Sequence, residues 1–310
     1  MLQPEKTALI IGPGAVGLAL AAGLRQARLP TAVLGRNAAA QRRLVRGGFQ
    51  VTSPDASLTQ VTGLKPATAL KGPASVALFC VKSGDARRAA TAAKRFIGPN
   101  TAVVALQNGI GHETVFRKFF GPRRTVVGVC YFAADRPAPA DLRLNGGADI
   151  LLARREGNEH ALEAAHALLS QAGFRVHLKD SEESMLWTKA AFNAALNPLA
   201  AACAVDSGRL AEDPALREIV LAALSEAAAA AAASGHRLDY PDMADKLMLS
   251  CRNAPRQRNS MLQDLAAGRR TEARAILGPL LDSARRARLS VPTLETLAAV
   301  ISRLERSLAK

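Results

Sequence analysis

Aromatic side chains are scarce in this chain, at 4% of 310 residues with a single Trp. A core must rest on Ala, Leu, Val and Ile, and few rings are available to stack on nucleic-acid bases. Long basic runs are missing too. The formal net charge is +15, yet the arginines fall in scattered doublets: Arg42-Arg43, Arg87-Arg88, Arg123-Arg124, Arg154-Arg155, Arg269-Arg270 and Arg285-Arg286. This reads as solvated basic surface, not a nucleic-acid footprint, although it still draws anionic substrates and cofactors inward. The four cysteines, Cys80, Cys130, Cys203 and Cys251, form no CxxC pair and read as buried free thiols in a reducing cytosol. The histidines make no ligand pattern with cysteines or carboxylates, so no metal is expected. Met1–Lys6 has no basic-then-apolar signal pattern, and no apolar run approaches the roughly 18 residues of a membrane span. The expectation is a soluble cytoplasmic protein, monomer or homodimer, with neither nucleic acid nor membrane as partner.

What is present is ordinary globular material, 49% hydrophobic and 22% charged, in a chain whose length favours two domains. The first half alternates strand and helix patterns. Thr7–Ile11, Thr31–Leu34, Ser75–Val81, Ala102–Leu106 and Thr125–Tyr131 read as strands. Ala15–Arg28, Gln41–Arg46, Asp85–Phe96 and Glu113–Phe119 read as helices. Such alternation implies a mostly parallel sheet covered on both faces. Leu142–Leu144 and Asp149–Ala153 flank Asn145-Gly146-Gly147, which predicts a hairpin. A helix over Glu159–Gln171 and a last strand over Phe174–Leu178 follow. After Asp180 only helix patterns remain, at about 182–203, 213–234, 241–252, 271–288 and 293–308.

Gly12-Pro13-Gly14-Ala15-Val16-Gly17 stands between the first strand and the first helix. In that context the glycines serve a tight turn, a close approach to a pyrophosphate and close helix–strand packing. The diphosphate then meets free N–H groups at a helix N-terminus. The second strand ends in Leu34-Gly35-Arg36-Asn37. Where an NAD site offers an acid to the ribose, Arg36 offers charge for a 2′-phosphate, so NADPH is the expected cofactor. The fold class follows: an α/β Rossmann-type NADP-binding domain over 1–179, then an all-α domain over 180–310.

In the helical half, Lys189, Asn193 and Asn197 recur every four residues. Each step drifts only about 40°, so the three share one stripe roughly 12 Å long. Their neighbours are Ala, Leu and Phe. Either the polar groups satisfy each other and nearby backbone, or they line a cleft. A buried ammonium without function is costly, and such a lysine suits a general acid.

Six segments together carry a family resemblance: GPGAVG at 12–17, Val81-Lys82-Ser83, Gln107-Asn108-Gly109-Ile110-Gly111, the run from Trp187 to Pro198, Asn259-Ser260-Met261-Leu262-Gln263-Asp264, and Arg270-Thr271-Glu272. In order and separation the chain resembles the ketopantoate reductases (2-dehydropantoate 2-reductases) of pantothenate biosynthesis. The resemblance implies NADPH-dependent reduction of a 2-keto acid between the two domains, with Lys189 as general acid. It implies that Glu272 binds the substrate hydroxyl and assists catalysis, and that Asn108, Asn193, Asn197 and Ser260 hold substrate. Lys82, Asn108 and Glu272 are implied in holding cofactor beside Gly12, Pro13, Gly14, Ala15, Val16, Gly17 and Arg36. One departure stands out: many members carry a substrate-contacting asparagine where this chain has Ser207, in Val205-Asp206-Ser207-Gly208. That bears on substrate identity more than on reaction class. The competing readings are a reductase of another small keto acid or imine, and an NADPH-binding sensor without turnover.

Overall fold

The computed structural model describes residues 7–239 and 242–308. Met1–Lys6, read above for a signal, and residue 241, where a helix is expected to start, lie outside the described residues. Chain order begins β1 (Ala8–Ile11), α1 (Ala15–Gln26), β2 (Thr31–Leu34), α2 (Ala38–Gly47), β3 (Phe49–Thr52), β4 (Leu58–Val61) and β5 (Lys65–Pro66). It continues with β6 (Val76–Phe79), α3 (Ala86–Ala93), β7 (Ala102–Ala105), α4 (His112–Phe120), β8 (Thr125–Asp135), β9 (Asp141–Ala153), α5 (Glu159–Gln171) and β10 (Arg175–Lys179). Helices α6 (Glu182–Cys203), α7 (Ser207–Glu212), α8 (Pro214–Ala233), α9 (Met243–Asn253), α10 (Ser260–Ala266), α11 (Ala273–Ala287) and α12 (Pro292–Ser307) complete it. The chain falls into two compact units. One runs as far as Gln107 and resumes over Gly111–Glu182; the other takes Asn108–Ile110 and everything from Glu183 onward.

The sheet unit has strand order β4-β3-β9-β8-β7-β6-β1-β2-β5, with β10 also on β9. Strands β8, β7, β6, β1, β2 and β5 pair in parallel. The period of two is visible in how β1 divides its side chains. Ala8 and Ile10 pack in one apolar cluster with α1 and α5, while Leu9 and Ile11 pack in another with α3 and α4. Strands β1, β6 and β7 are buried at every position, as central parallel strands with helices on both faces must be.

Sequence expectations are corrected here at three points. Asn145-Gly146-Gly147 does not turn a hairpin. It lies inside the single 13-residue strand β9, antiparallel to β8, where Gly146 (φ +119°) and Gly147 (φ +76°) accompany a register shift opposite Tyr131–Ala134. An Asn-Gly-Gly signal serves a bulge as well as a turn, and only the partner strand decides which. Three strands were also missed. The four-residue β3 and β4 form an antiparallel edge pair, and the two-residue β5 adds to β2; runs this short carry little periodicity. All four cysteines are free thiols, but of the four expected to be buried only Cys251 is; Cys80 and Cys130 are half-buried and Cys203 is exposed.

The helical unit has its own core, built on small side chains. Ala223, Ala227, Ala230 and Ala231 of α8 are fully buried, and α8 packs against α11 and α12. Alanines at this spacing let helices approach closely while keeping high helix propensity. Asp213 caps α8, its Oδ1 accepting from the N–H of Ala215 at 3.0 Å, with Pro214 at the first helical position. Glu226 of the same helix accepts from the N–H groups of Thr293 (3.0 Å) and Leu294 (2.8 Å), capping α12. Among the described residues no helix is long and apolar enough to cross a membrane.

Candidate functional site

In the sheet unit the glycine loop joins β1 to α1. Gly12 has φ +90°, and a Cβ there would stand 2.6 Å from Cγ1 of Val81 and 2.9 Å from its nitrogen. The loop therefore crosses directly over the chain leaving β6, which brings Lys82, the next residue, beside it. A Cβ on Gly17 would stand 2.3 Å from the Gly12 carbonyl oxygen, so α1 departs in contact with its own strand. At Gly14 a Cβ would meet nothing within 4 Å. The Gly14 N–H donates to the Gly12 oxygen and the Leu18 N–H to the Gly14 oxygen, both at 2.8 Å. The first-turn N–H groups of Ala15, Val16 and Gly17 thus have no intrahelical acceptor. No acidic residue sits in that turn. Open space over Gly14, amides aimed outward and the positive helix end fit a dinucleotide diphosphate.

Arg36 follows β2, just before Asn37, which caps α2 by accepting from the Ala40 N–H at 3.0 Å. The Arg36 side chain is 75% exposed, with Nη1 3.7 Å from Asp85 Oδ2. Asp85 is held more closely by Arg88, at 2.5 Å. A pair this exposed is weak, so little opposes an incoming anion at Arg36. Lys82 is half-buried, and its carbonyl accepts from the Asp85 N–H at 2.8 Å.

In the helical unit three of the singled-out residues meet. Asn108 Nδ2 donates to Glu272 Oε2 at 3.2 Å, and Asn193 Nδ2 donates to Asn108 Oδ1 at 3.3 Å. An ionised carboxylate only accepts, so Glu272 orients the Asn108 amide, and Asn108 in turn orients Asn193. Three elements contribute: the segment after β7, the middle of α6, and the residue that opens α11. Backbone contact fastens the first to the third. The Ile110 N–H donates to the Ala275 oxygen at 3.1 Å. Gly109, at φ +87°, approaches so closely that a Cβ would stand 2.5 Å from that same oxygen.

Lys189 and Asn193 are half-buried on α6, and Asn197 is buried one turn further on. Pro198 lies inside that helix. Lacking an N–H, it leaves one helical carbonyl without its usual amide donor. Ser260 is exposed at the first position of α10. Its neighbour Asn259 is buried, accepts from the Leu262 N–H at 2.9 Å as the cap of α10, and donates to the Asn197 carbonyl at 3.5 Å. Sequence reasoning assigned Asn259 no role; the cap-like Asn-Ser pair was the available signal. Ser207 is buried, and its hydroxyl donates to the Gln257 carbonyl at 3.1 Å. Gln107, also unassigned, is buried and donates to the Phe79 carbonyl at 3.0 Å, tying the segment before Asn108 to β6. Among the described residues no three His, Cys, Asp or Glu side chains gather as metal ligands.

Two family models match the chain: Ketopantoate reductase PanE/ApbA over residues 8–157, and Ketopantoate reductase PanE/ApbA C terminal over residues 183–305. A 2-dehydropantoate 2-reductase from Halobacterium salinarum is 29% identical over 301 residues, spanning 96% of this chain and 98% of the relative. One from Archaeoglobus fulgidus is 30% identical over 230 residues, 72% of this chain and 76% of the relative. A solved D-mandelate dehydrogenase, in a ternary complex with NADH and anilino(oxo)acetate, superposes with a TM-score of 0.88 over 98% of this chain and 100% of that one. At 22% identity it speaks to fold alone.

Proposed function

The chain belongs to the ketopantoate reductase family of oxidoreductases, and from that premise we propose that it reduces a small 2-keto acid, ketopantoate foremost, with NADPH. The observation that carries this reading is the hydrogen-bonded run Asn193–Asn108–Glu272, with Lys189 one turn before Asn193 on the same helix. The residues at 12–17, with Arg36 and Lys82, hold the dinucleotide. NADPH, when bound, supplies the hydride for the carbonyl carbon.

The protein's own residues do the rest. The Lys189 ammonium gives a proton to the carbonyl oxygen as charge develops there, and its positive charge stabilises that oxygen beforehand. Glu272 accepts a hydrogen bond from the substrate hydroxyl, its carboxylate held in place by Asn108. Asn193 is committed to Asn108 through one N–H, which leaves the rest of its amide for orienting substrate, with Asn197 and Ser260 assisting. The buried hydroxyl of Ser207 is directed to a backbone carbonyl. That favours, as a second reading, a keto acid other than ketopantoate.

The test is NADPH oxidation with ketopantoate beside a panel of branched and aromatic 2-keto acids and imines. We expect turnover with ketopantoate or a close analogue. Lys189→Ala should lower kcat by about 10²–10⁴ while the Kd for NADPH stays within a few-fold. NADPH binding without turnover of any compound would make the protein a sensor. Near-wild-type kcat in Lys189→Ala would remove the proposed acid.

A further inference from the structure

The glycine loop carries no charged side chain of its own, and Pro13 removes one of its N–H groups. Its carbonyls are unequal. Gly12 oxygen takes the Gly14 N–H, and Gly14 oxygen takes the first helical N–H, from Leu18. The Pro13 oxygen is used differently: it accepts from Nη1 of Arg136, at 3.1 Å and 123 residues away in sequence. A bare carbonyl dipole beside an anion's seat repels it; a guanidinium on that carbonyl reverses the sign of the local field.

The segment presenting Arg136 is stiff. It joins β8 to β9, which pair as far as Asp135 opposite Arg143. Pro137 and Pro139 fix two backbone angles within it. The Asp141 N–H closes onto the Ala138 oxygen at 3.1 Å, and the Ala140 oxygen accepts from the Gln50 N–H at 2.8 Å. Nη2 of Arg136 also donates to the Pro139 oxygen. The half-buried guanidinium is thus bridged between two carbonyls, one in its own turn and one in the glycine loop.

We infer that Arg136 is a cofactor-positioning residue: it braces the Pro13 carbonyl and sets a fixed positive charge beside the seat of the dinucleotide's diphosphate. This rests on the dinucleotide reading of the loop and adds a residue to it. Because the diphosphate is common to both nicotinamide dinucleotides, the effect must not discriminate between them. Arg36, by contrast, acts only where a 2′-phosphate exists.

The experiment is direct binding of NADPH and of NADH by fluorescence titration, without substrate, on wild type, Arg136→Ala and Arg36→Ala, over a salt series. In Arg136→Ala both Kd values rise by about tenfold, or ~1.4 kcal/mol. Their ratio is unchanged and the salt dependence is shallower, because one fixed cation is gone. In Arg36→Ala only NADPH weakens. Wild-type affinity in Arg136→Ala overturns the inference, as does a loss confined to NADPH. An equal loss with an unchanged salt dependence makes Arg136 a strut alone and overturns it too. Should Arg136→Ala fail to fold, Arg136→Lys carries the test, since an ammonium keeps the charge but cannot bridge both carbonyls. A loss of about threefold on both dinucleotides supports the assignment, and wild-type affinity refutes it. Wild-type protein that binds neither dinucleotide would instead sink the reading of the loop itself.

Discussion

Replacing Gly109 with alanine tests whether the run from Asn193 to Glu272 depends on one close backbone contact. The new Cβ would lie 2.5 Å from the Ala275 oxygen, 2.6 Å from its carbonyl carbon and 2.7 Å from its Cβ, where ordinary contact begins at 3.4 Å. The obstacle is backbone in the first turn of α11, which cannot swing aside as a side-chain tip can. The two segments must part by about 0.9 Å to restore ordinary contact. Asn108 is the adjacent residue. Its bonds of 3.2 and 3.3 Å would stretch past hydrogen-bonding range. A left-handed φ costs an alanine ~1–2 kcal/mol, and forced overpacking adds ~1–3 kcal/mol, so stability should fall by roughly 2–5 kcal/mol. A displacement near 1 Å of a positioning group lowers catalysis by up to about 10²-fold. We therefore expect kcat/KM to drop by roughly 10- to 100-fold, assayed well below a reduced Tm. Gly111→Ala is the internal control. Gly111 has φ +102° but nothing within 4 Å of its missing Cβ, so it should lose stability through φ alone and keep activity within about threefold. Wild-type activity in Gly109→Ala, or equal damage from Gly111→Ala, would show that the close contact does not position Asn108.

Arg36→Ala should abolish a preference for NADPH over NADH of at least about tenfold in kcat/KM, since a 2′-phosphate gains most from a guanidinium; a preference that survives would assign the selectivity elsewhere. His112 should make stability depend on acid. Its side chain is fully buried with no hydrogen-bond partner on either ring nitrogen, Glu113 Oε2 lying 3.9 Å from Nδ1, and burial, then the charge of Arg117, lower its pKa from 6.5 to about 4. The unfolded chain takes up that proton first, so stability is fully present above about pH 6.5 and is lost as pH falls toward about 4, by roughly 3 kcal/mol. Urea unfolding of His112→Leu across this range should show a flatter pH dependence than wild type; an identical slope would clear His112 of the effect.

Local pattern made much of this protein legible. The glycine loop could be placed because strand, turn and helix signals are contiguous, and chemistry there depends on backbone within a few residues. The fourfold spacing of Lys189, Asn193 and Asn197 needed only the period of a helix. The change from alternating elements to helices alone near residue 180 was visible because side-chain periodicity is local. Tertiary structure decided the rest. Whether Asn145-Gly146-Gly147 turns or bulges depends on β8, which lies outside the segment. Asn108, Asn193 and Glu272 stood out one by one, but their joining rests on long-range bonds spanning up to 164 residues. Arg136 offered no local signal at all, because what distinguishes it is a carbonyl 123 positions earlier. Periodicity and turn chemistry are written within a few residues of chain. Which distant polar groups share a hydrogen bond is settled only when apolar burial has brought them within about 3 Å.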